Sequence, residues 1–244
     1  MNTALPQIST PPKKPTTSAK RWLKRLIWTV VALFIGFHLM VLALLGVWQT
    51  QPINNSMFML LHRVGNFEGV SQTWVEDDQI SINAKRAAIA SEDADFVNHD
   101  GFDIDGIEKA MRKNEKSGTV RAGGSTISQQ LAKNLFLFPQ RSYIRKGEEA
   151  IITIMMEQMW TKERILTAYL NVAEFGNGIY GVEAAAQHYF HRPAKKLTRQ
   201  QAAMLIAMLP NPKYFESHLN DRHLQHKIQI ILQRMGGADL PDGE

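Results

Sequence analysis

The stretch LIWTVVALFIGFHLMVLALLGVW (residues 26–48) decides how the rest of the chain is organised. It carries no formal charge, and only Thr29 and His38 interrupt its apolar character. A helix needs about 20 apolar residues to cross the hydrocarbon core of a bilayer. A cleaved signal peptide, the alternative, has a shorter apolar region of roughly 7–15 residues followed by a small-residue cleavage site. The stretch therefore predicts one transmembrane helix.

Basic residues on the two sides of this stretch predict its orientation. Six basic residues and no acidic residue precede it, whereas Arg63 is the only basic residue among residues 49–66. Positive charge is retained on the cytoplasmic side of a membrane. Residues 1–25 are therefore expected to form a cytoplasmic basic tail, and the chain after residue 48 is expected to lie outside the cytoplasm.

The overall composition excludes several classes of protein. The chain has 244 residues, no cysteine and a formal net charge of +5. Without cysteine there is no disulfide scaffold, no cysteine-ligated zinc and no cysteine nucleophile. Because the basic surplus lies in the first 48 residues, the remaining residues carry 22 basic against 23 acidic side chains. A body so close to neutral argues against a nucleic-acid-binding domain.

The part that follows the apolar stretch has helical patterning. Apolar residues recur at helical spacing, and no stretch alternates convincingly with period two, so a sheet is at most minor. Residues 49–80 are expected to be a connector, and residues 81–244 a mainly α domain. Helices are predicted over residues 83–93, 103–114, 125–136, 143–160, 161–171, 180–190, 198–209 and 221–235. Thr198 and Gln201 form a predicted capping box.

Charge is segregated within this domain. Residues 68–115 hold twelve acidic and five basic side chains, whereas residues 116–146 hold six basic and no acidic ones. This order suits a site that combines a general base with a group of cations for an anionic leaving group. The alternative is that solvated faces segregate charge by chance.

The first candidate cluster is AIASEDADFVNHDGFD (residues 88–103). Glu92 falls at the end of a predicted helix, where the macrodipole disfavours an anion, so a functional reason for its placement is favoured. His99 taken alone is expected to be a hydrogen-bonded structural histidine. A metal site that combines His99 with the neighbouring aspartates lacks a firm ligand spacing.

The second cluster is RAGGSTISQQLAKNLF (residues 121–136). Two glycines lead into Ser125 and Thr126 at a predicted helix N-terminus, where backbone N–H groups and hydroxyls bind anions readily. Gln129 and Lys133 share a helix face by their spacing. The alternative is an ordinary amphipathic helix with a serine N-cap, which does not explain two consecutive glutamines followed by Lys-Asn.

The third cluster is RSYIRKGEEA (residues 141–150). Arg141 and Arg145 are one helical turn apart, as are Lys146 and Glu149. Glu149 begins an apolar run, which makes it a candidate for a partly buried carboxylate paired with a base. Surface ion pairing is the alternative.

Taken in order, these strings resemble the motifs of the family 51 glycosyltransferases, which polymerise peptidoglycan from lipid II. Ser128 stands where that family usually has threonine. Five segments carry the resemblance: SEDADFVNHDGFD (91–103), GGSTISQQLAKN (123–134), RKGEE (145–149), KERILTAYLN (162–171) and GNGIYGVEAAAQHYF (176–190). The chain ends shortly after LPNPKYF (209–215), which favours the monofunctional, membrane-anchored members over those with a transpeptidase domain.

The resemblance implies a lysozyme-like, mainly α fold with a small membrane-proximal lobe. It implies two catalytic residues: Glu92, the general base for the acceptor 4-hydroxyl of lipid II, and Glu149, a second acidic residue near the donor diphosphate. The implied reaction is inverting and gives a β-1,4 glycan with release of undecaprenyl diphosphate. The substrate-binding residues that it implies are Ser125, Gln130, Lys133, Asn134, Arg141, Arg145 and Lys146.

The resemblance also sets expectations for cofactors, partners and location. No cofactor is required, and a divalent cation (Mg or Mn) at the diphosphate is left open. The expected partners are lipid II, the growing glycan chain, membrane lipid and proteins of cell-wall synthesis or division, with no nucleic acid. The implied location is the inner (cytoplasmic) membrane with a periplasmic catalytic domain. KNEKSGTVRAGG (113–124) is expected to be a mobile loop over the glycan groove.

Three other functions stay open at this point. A lytic enzyme of the same fold would also need a glutamate, but it has no use for basic residues beside it. A two-carboxylate glycosidase would need a second carboxylate about 5–9.5 Å from Glu92. A non-catalytic membrane scaffold would leave Glu92, Lys133, Arg141 and Glu149 unexplained.

Overall fold

The computed structural model describes residues 17–66, 69–117, 124–140 and 142–241. The chain divides into two compact units, residues 1–41 and residues 42–244. The helices are α1 (Thr17–Trp48), α2 (Met57–Asn66), α3 (Ile82–Glu92), α4 (Ile104–Ser117), α5 (Ile127–Phe136), α6 (Tyr143–Met159), α7 (Lys162–Val172), α8 (Val182–Phe190), α9 (Arg199–Met208), α10 (Pro212–Ser217) and α11 (Arg222–Arg234). The expectation of a mainly α protein is confirmed.

One small sheet accompanies the helices. Its strands are β1 (Ser71–Gln72), β2 (Glu174–Gly176) and β3 (Ile179–Tyr180), in the order β1-β3-β2. β1 pairs with β3 in parallel, and β2 pairs with β3 antiparallel. Gly178 lies in the turn between β2 and β3 with φ +72°, a conformation that favours glycine. The minor sheet agrees with the absence of long alternating stretches.

The predicted transmembrane stretch lies within α1. Residues Lys20–Trp48 have a mean hydropathy of 2.6 in their most apolar window and are long and apolar enough to cross a membrane. At about 1.5 Å rise per residue, such a helix exceeds the ~30 Å core. One N-terminal helix of this kind fits a single-pass membrane protein.

Two groups of helices form the core of the second unit. α5 packs against α6 and α7, and α3 packs against α9 and α11. Two capping boxes begin helices in these groups, at Thr126 with Gln129 and at Thr198 with Gln201. In each box the threonine hydroxyl accepts from a backbone N–H, and the glutamine accepts from the threonine N–H. The predicted box at Thr198 is thereby confirmed, and the start of α5 is fixed at a buried position.

Residues 49–80 contain a helix that the sequence did not indicate. α2 packs on α5, and its Met59 is fully buried, as is Ile53 before it. A helix of ten residues spans less than three turns, so its apolar spacing is too short to stand out as a period. This helix brings Phe58 to the cavity described below.

Arg164 is held at the C-terminal end of α1. Its Nε and Nη2 both donate to the Trp48 carbonyl, at 3.0 and 2.6 Å, and Nη2 also donates to the Gln51 carbonyl. The guanidinium lies 4.8 Å from the Trp74 ring centroid and 5.8 Å from that of Trp160. Carbonyls at the end of a helix lack intrahelical partners, and a cation there also meets the negative end of the dipole. We call these five residues the helix-end cluster.

Candidate active site

Glu92 is the last residue of α3, and its carboxylate is held by three donors. Oε1 accepts from Ser91 Oγ at 2.7 Å and from Lys227 Nζ at 3.1 Å, and Oε2 accepts from Gln130 Nε2 at 3.2 Å. Only 13% of the Glu92 side chain is exposed. Each oxygen has a donor, so the carboxylate has a defined orientation in an enclosed place.

Gln130 on α5 has its amide fixed from the other side by Tyr169. The Tyr169 hydroxyl donates to Gln130 Oε1 at 3.1 Å, which turns the amide nitrogen toward Glu92. Burial raises the pKa of Tyr169 well above its ordinary value, and the charges of Glu92 and Asp93 add to the effect. The phenol therefore stays protonated and remains a donor. Gln130, held between Tyr169 and Glu92, therefore connects Glu92 to the cavity, which Gln130 itself lines.

Asp93 connects the end of α3 to the start of α5. Its Oδ2 accepts the backbone N–H of Ile127 at 2.9 Å, and its Oδ1 lies 2.9 Å from His99 Nε2. The N–H of Gly101 donates to His99 Nδ1 at 3.2 Å, so the proton of the neutral ring lies on Nε2. His99 is thus a hydrogen-bonded structural histidine, as the sequence predicted. It fixes Asp93, and through Asp93 the helix end that carries Glu92.

A cavity of about 850 Å³ lies beside these residues. It brings together six of the nine predicted site residues, which come from the N-terminal side of α5, from α5 itself and from α6. The residues that line it are Phe58, Ser125, Gln129, Gln130, Lys133, Pro139, Ser142, Tyr143, Arg145, Lys146 and Glu149. The charged groups of these described residues are three cations and one carboxylate, so together they carry a net positive charge.

Among the described residues, Glu149 is the only carboxylate that lines this cavity. It is buried, and both of its oxygens are used: Oε2 accepts from Arg145 Nη1 at 2.6 Å, and Oε1 pairs with Lys146 Nζ. Lys146 also reaches Ser125 Oγ at 3.3 Å. The buried pairing with basic residues follows the prediction from the sequence. Its geometric effect is to hold two cations at the wall of the cavity.

Lys133 differs from the other two cations of the cavity. Its Nζ lies 5.7 Å from the centroid of the Phe58 ring, and no described residue forms an ion pair or hydrogen bond with it. Burial, the largest influence, lowers the pKa of Lys133, and the charges of Arg145 and Lys146 lower it further, whereas Glu149 opposes them. An anionic ligand beside such a lysine would stabilise its charged form.

Some predicted features lie elsewhere. Asn134 is half-buried on α5 and does not line the cavity. Arg141 lies outside the described residues, as do residues 118–123, half of the segment 113–124 that was expected to form a loop over the groove. Residues 113–117 of that segment belong to α4, so the loop prediction is wrong for them. Thr126, and not Ser125, is the N-cap of α5. Ser125 is therefore free of a capping role and faces the cavity.

Several residues of the site were not found by sequence reasoning, and three of them come from distant parts of the chain. Lys227 is 135 positions from Glu92, and Tyr169 is 39 positions from Gln130. Phe58 lies on the helix that was missed. No local spacing rule relates residues so far apart, so only the fold could bring them together.

The site does not present a metal-binding group. Within the part of the chain that the structure describes, no three His, Asp or Glu side chains are placed to hold a metal ion. The aspartate beside His99 already accepts two hydrogen bonds, one from the ring and one from a backbone N–H. The metal site considered from the sequence at His99 is therefore replaced by a hydrogen-bonded pair.

Comparison with known proteins identifies the family. The sequence model of the family described as Transglycosylase matches residues 60–236. The chain belongs to the transglycosylase family. The match includes all five motif segments and both groups of core helices, and of the residues that line the cavity only Phe58 lies outside it.

Curated relatives of this transglycosylase are similar over most of their length. A protein of Acinetobacter baylyi named biosynthetic peptidoglycan transglycosylase is 49% identical over 91% of this chain and 100% of its own length. Proteins of the same name from Dechloromonas aromatica and an Azoarcus species are 49% and 47% identical over 91% of this chain and over 98% and 97% of their own lengths. The family resemblance seen in the motifs is confirmed, and as a transglycosylase the chain is a glycosyltransferase enzyme.

Proposed function

We propose that this transglycosylase polymerises lipid II into β-1,4-linked peptidoglycan strands and releases undecaprenyl diphosphate. The observation that carries the proposal is the position of Gln130. Its amide nitrogen contacts the Glu92 carboxylate, and its side chain lines the cavity that holds Lys133, Arg145 and Lys146. A carboxylate base and a group of cations thereby share one site, which is what sugar transfer from a diphosphate requires.

Glu92 is the general base in this proposal. Its carboxylate takes the proton of the acceptor 4-hydroxyl as that oxygen attacks C1 of the donor sugar. The new O4–C1 bond forms while the bond between C1 and the diphosphate oxygen breaks, and the electron pair leaves with the diphosphate. Attack from the face opposite the leaving group turns the α-linked donor into a β-linked product. The three donors on Glu92 hold it in the orientation that such a proton transfer needs.

The cations of the cavity bind the departing diphosphate. Negative charge grows on the leaving oxygen as the C1–O bond breaks, and hydrogen bonds and ion pairs from Lys133, Arg145 and Lys146 strengthen at that moment. Glu149 keeps Arg145 and Lys146 at the wall by pairing with both. In this proposal Glu149 orients the two cations, because each of its oxygens is paired with one of them.

A divalent cation does not fit the residues that line the cavity. Oxygen ligands are what Mg²⁺ and Mn²⁺ prefer, and the one carboxylate here is engaged by Arg145 and Lys146. Three cationic side chains already supply the charge that such an ion would contribute. We therefore derive no step through a metal ion.

Exposed apolar side chains beside the cavity suit a substrate that is anchored in lipid. Tyr143 lines the cavity and is 98% exposed, and Ile144 and Phe138 are exposed nearby along the chain. Large apolar groups in water mark a surface that contacts membrane or protein. We propose that this surface faces the lipid headgroups of the inner membrane on the periplasmic side, with the N-terminus in the cytoplasm.

A lytic enzyme with the same fold is the competing function. Cleavage of a finished glycan releases no diphosphate and gains nothing from three cations around the leaving-group position. The positive cavity therefore favours synthesis. The two reactions are separated by incubating the full-length protein with purified lipid II and, separately, with finished glycan. Polymer growth with one undecaprenyl diphosphate released per bond supports the proposal, and shortening of finished glycan contradicts it.

Replacing the base tests the mechanism. Glu92→Gln keeps the size of the side chain and its contact with Gln130 but cannot accept the proton. Loss of a general base costs about 10²- to 10⁴-fold in rate, so we expect polymer formation from lipid II to fall by at least about 100-fold, with the unfolding temperature little changed.

The matched control is Glu108→Gln, which alters an exposed ion pair with Arg112 on α4. This variant is expected to polymerise lipid II at the wild-type rate. Near-wild-type polymer from Glu92→Gln would contradict the assignment of the general base.

A further inference from the structure

Lys227 on α11 forms the only ion pair that Glu92 makes with a described residue. Its Nζ lies 3.1 Å from Glu92 Oε1, and its side chain is 31% exposed. It belongs to none of the five motif segments, and it does not line the cavity. The contact needs a reason of its own, because a partly exposed lysine could instead place its ammonium in water.

The place of Glu92 in the fold supplies that reason. Glu92 is the last residue of α3, where the partial negative charge of the helix end disfavours a carboxylate, and Asp93 adds a second negative charge beside it. Asp93 is compensated by the N-terminus of α5, through the Ile127 N–H, and by His99. The Glu92 carboxylate has no described contact with the backbone N–H groups of a helix N-terminus, and its compensating positive charge comes from Lys227.

The packing of α11 fixes where the Lys227 ammonium can go. Leu224 and Ile228 are buried on the face with which α11 packs against α3 and α9. Lys227 lies between them in sequence, so its backbone is held and only its flexible stem is left to adjust. The Lys227 ammonium, which comes from α11, donates to Glu92 Oε1, whereas Gln130, which lines the cavity, donates to Glu92 Oε2.

We propose, on the basis of the function proposed above, that Lys227 is a positioning residue for the general base. Together with Ser91 it occupies Oε1, so that the carboxylate cannot rotate and Oε2 stays toward the cavity to accept the proton of the acceptor hydroxyl. Lys227 acts through Glu92 and does not contact the diphosphate. Replacing Lys227 by an uncharged residue is therefore expected to slow the chemical step and to leave the affinity for the donor unchanged.

Three variants of the full-length protein in detergent micelles test this role with purified lipid II. Lys227→Met keeps the stem and removes the ammonium, and we expect kcat to fall roughly 10- to 100-fold, the usual consequence of a misplaced catalytic group, with KM changed less than about two-fold. Lys227→Arg restores a cationic donor and should recover most of the rate. Lys213→Met makes the same change in the Lys213–Glu174 pair, which also has a short contact of 3.3 Å, and should leave kcat unchanged.

A double variant separates positioning from folding. If Lys227 acts through Glu92, Lys227→Met has no further effect on the residual rate of Glu92→Gln, and the single variant keeps a normal unfolding temperature. Wild-type kcat in Lys227→Met, or a loss that Lys227→Arg does not recover, overturns the inference. If Lys227→Met does not fold, Lys227→Gln replaces it as the uncharged variant and the same outcomes apply.

Failure of this inference is distinguishable from failure of the proposed function. If the wild type makes polymer, Glu92→Gln is inactive and Lys227→Met is fully active, only the role of Lys227 is wrong. If the wild type makes no polymer from lipid II, or Glu92→Gln is as active as the wild type, the proposed function itself fails.

Discussion

Arg164 and Lys133 are both half-buried cations of the same domain, and their surroundings differ in one respect. Arg164 in the helix-end cluster donates from Nε and Nη2 to two backbone carbonyls, and its guanidinium lies within 6 Å of two indole ring centroids. Lys133 has an aromatic ring nearby and two cations, but no described acceptor within hydrogen-bond distance. Arg164 thus has hydrogen-bond acceptors within the protein, whereas Lys133 has none among the described residues, as expected for the proposed binding of an anionic ligand.

This difference indicates which charges stabilise the fold and which serve the reaction. A buried cation without partners costs free energy, because its charged form loses hydration. A fold retains such a group when something bound in the functional state compensates it. The departing diphosphate of the proposed reaction has the charge and the acceptor oxygens that Lys133 lacks.

Of the two cations, Lys133 should have the larger effect on activity when it is replaced. Lys133→Met removes the ammonium and keeps an apolar stem of similar length beside Phe58. Removing one charge-stabilising donor from a transition state costs about 10²- to 10³-fold in kcat, and we expect a loss in that range in the lipid II polymerisation assay. The unfolding temperature should stay the same or rise, because no folded-state partner is lost.

A drop in unfolding temperature for Lys133→Met would contradict this reading, as would a polymerisation rate within two-fold of wild type. Either result would mean that Lys133 resembles Arg164 in function.

Replacing Arg164 should have the opposite pattern. Arg164→Met leaves the carbonyls of Trp48 and Gln51 without this donor and removes the guanidinium from both indole rings. Hydrogen bonds from a charged group contribute about 1.5–3 kcal/mol, so we expect the free energy of unfolding to fall by about 2–3 kcal/mol in a denaturant titration. The activity per folded molecule should stay near the wild-type value. Arg112→Met, in an exposed pair on α4, is the control and should change stability little.

The smallest predicted effect is a pH dependence of stability that comes from Lys133. Because the pKa of Lys133 is lowered in the folded protein, the unfolded chain binds more protons in the window below the ordinary lysine pKa. The free energy of unfolding attributable to Lys133 therefore rises with pH through that window. The measurement is the difference in unfolding free energy between wild type and Lys133→Met, followed from neutral pH to about pH 10. A difference that falls over this range would contradict the burial of an uncompensated cation.

Much of the fold was predictable because it depends on local rules. The apolar stretch at residues 26–48, the capping box at Thr198 and the helix over residues 143–160 follow from patterns within a few turns of chain. The same holds for the contact of Glu149 with Arg145 and Lys146, since residues three and four apart share a helix face. These features need no knowledge of the tertiary structure.

The rest depends on contacts between distant elements. Lys227 reaches Glu92 because α11 packs on α3, and Tyr169 reaches Gln130 because α7 packs on α5. The helix-end cluster likewise joins Trp48 to Arg164 across 116 positions. The five motif segments pointed to the residues at the centre of the site. The side chains that orient those residues lie partly outside the segments, and only the packing of helices identifies them.

Binding of a lipid diphosphate tests the central claim most directly. Full-length wild type, Lys133→Met and Arg164→Met in detergent micelles are titrated with farnesyl diphosphate by calorimetry, at a temperature where all three are folded. We predict that wild type and Arg164→Met bind with equal affinity, and that Lys133→Met binds about 10-fold or more weakly, the loss expected for one charge-assisted hydrogen bond. Equal affinity of wild type and Lys133→Met would contradict the account.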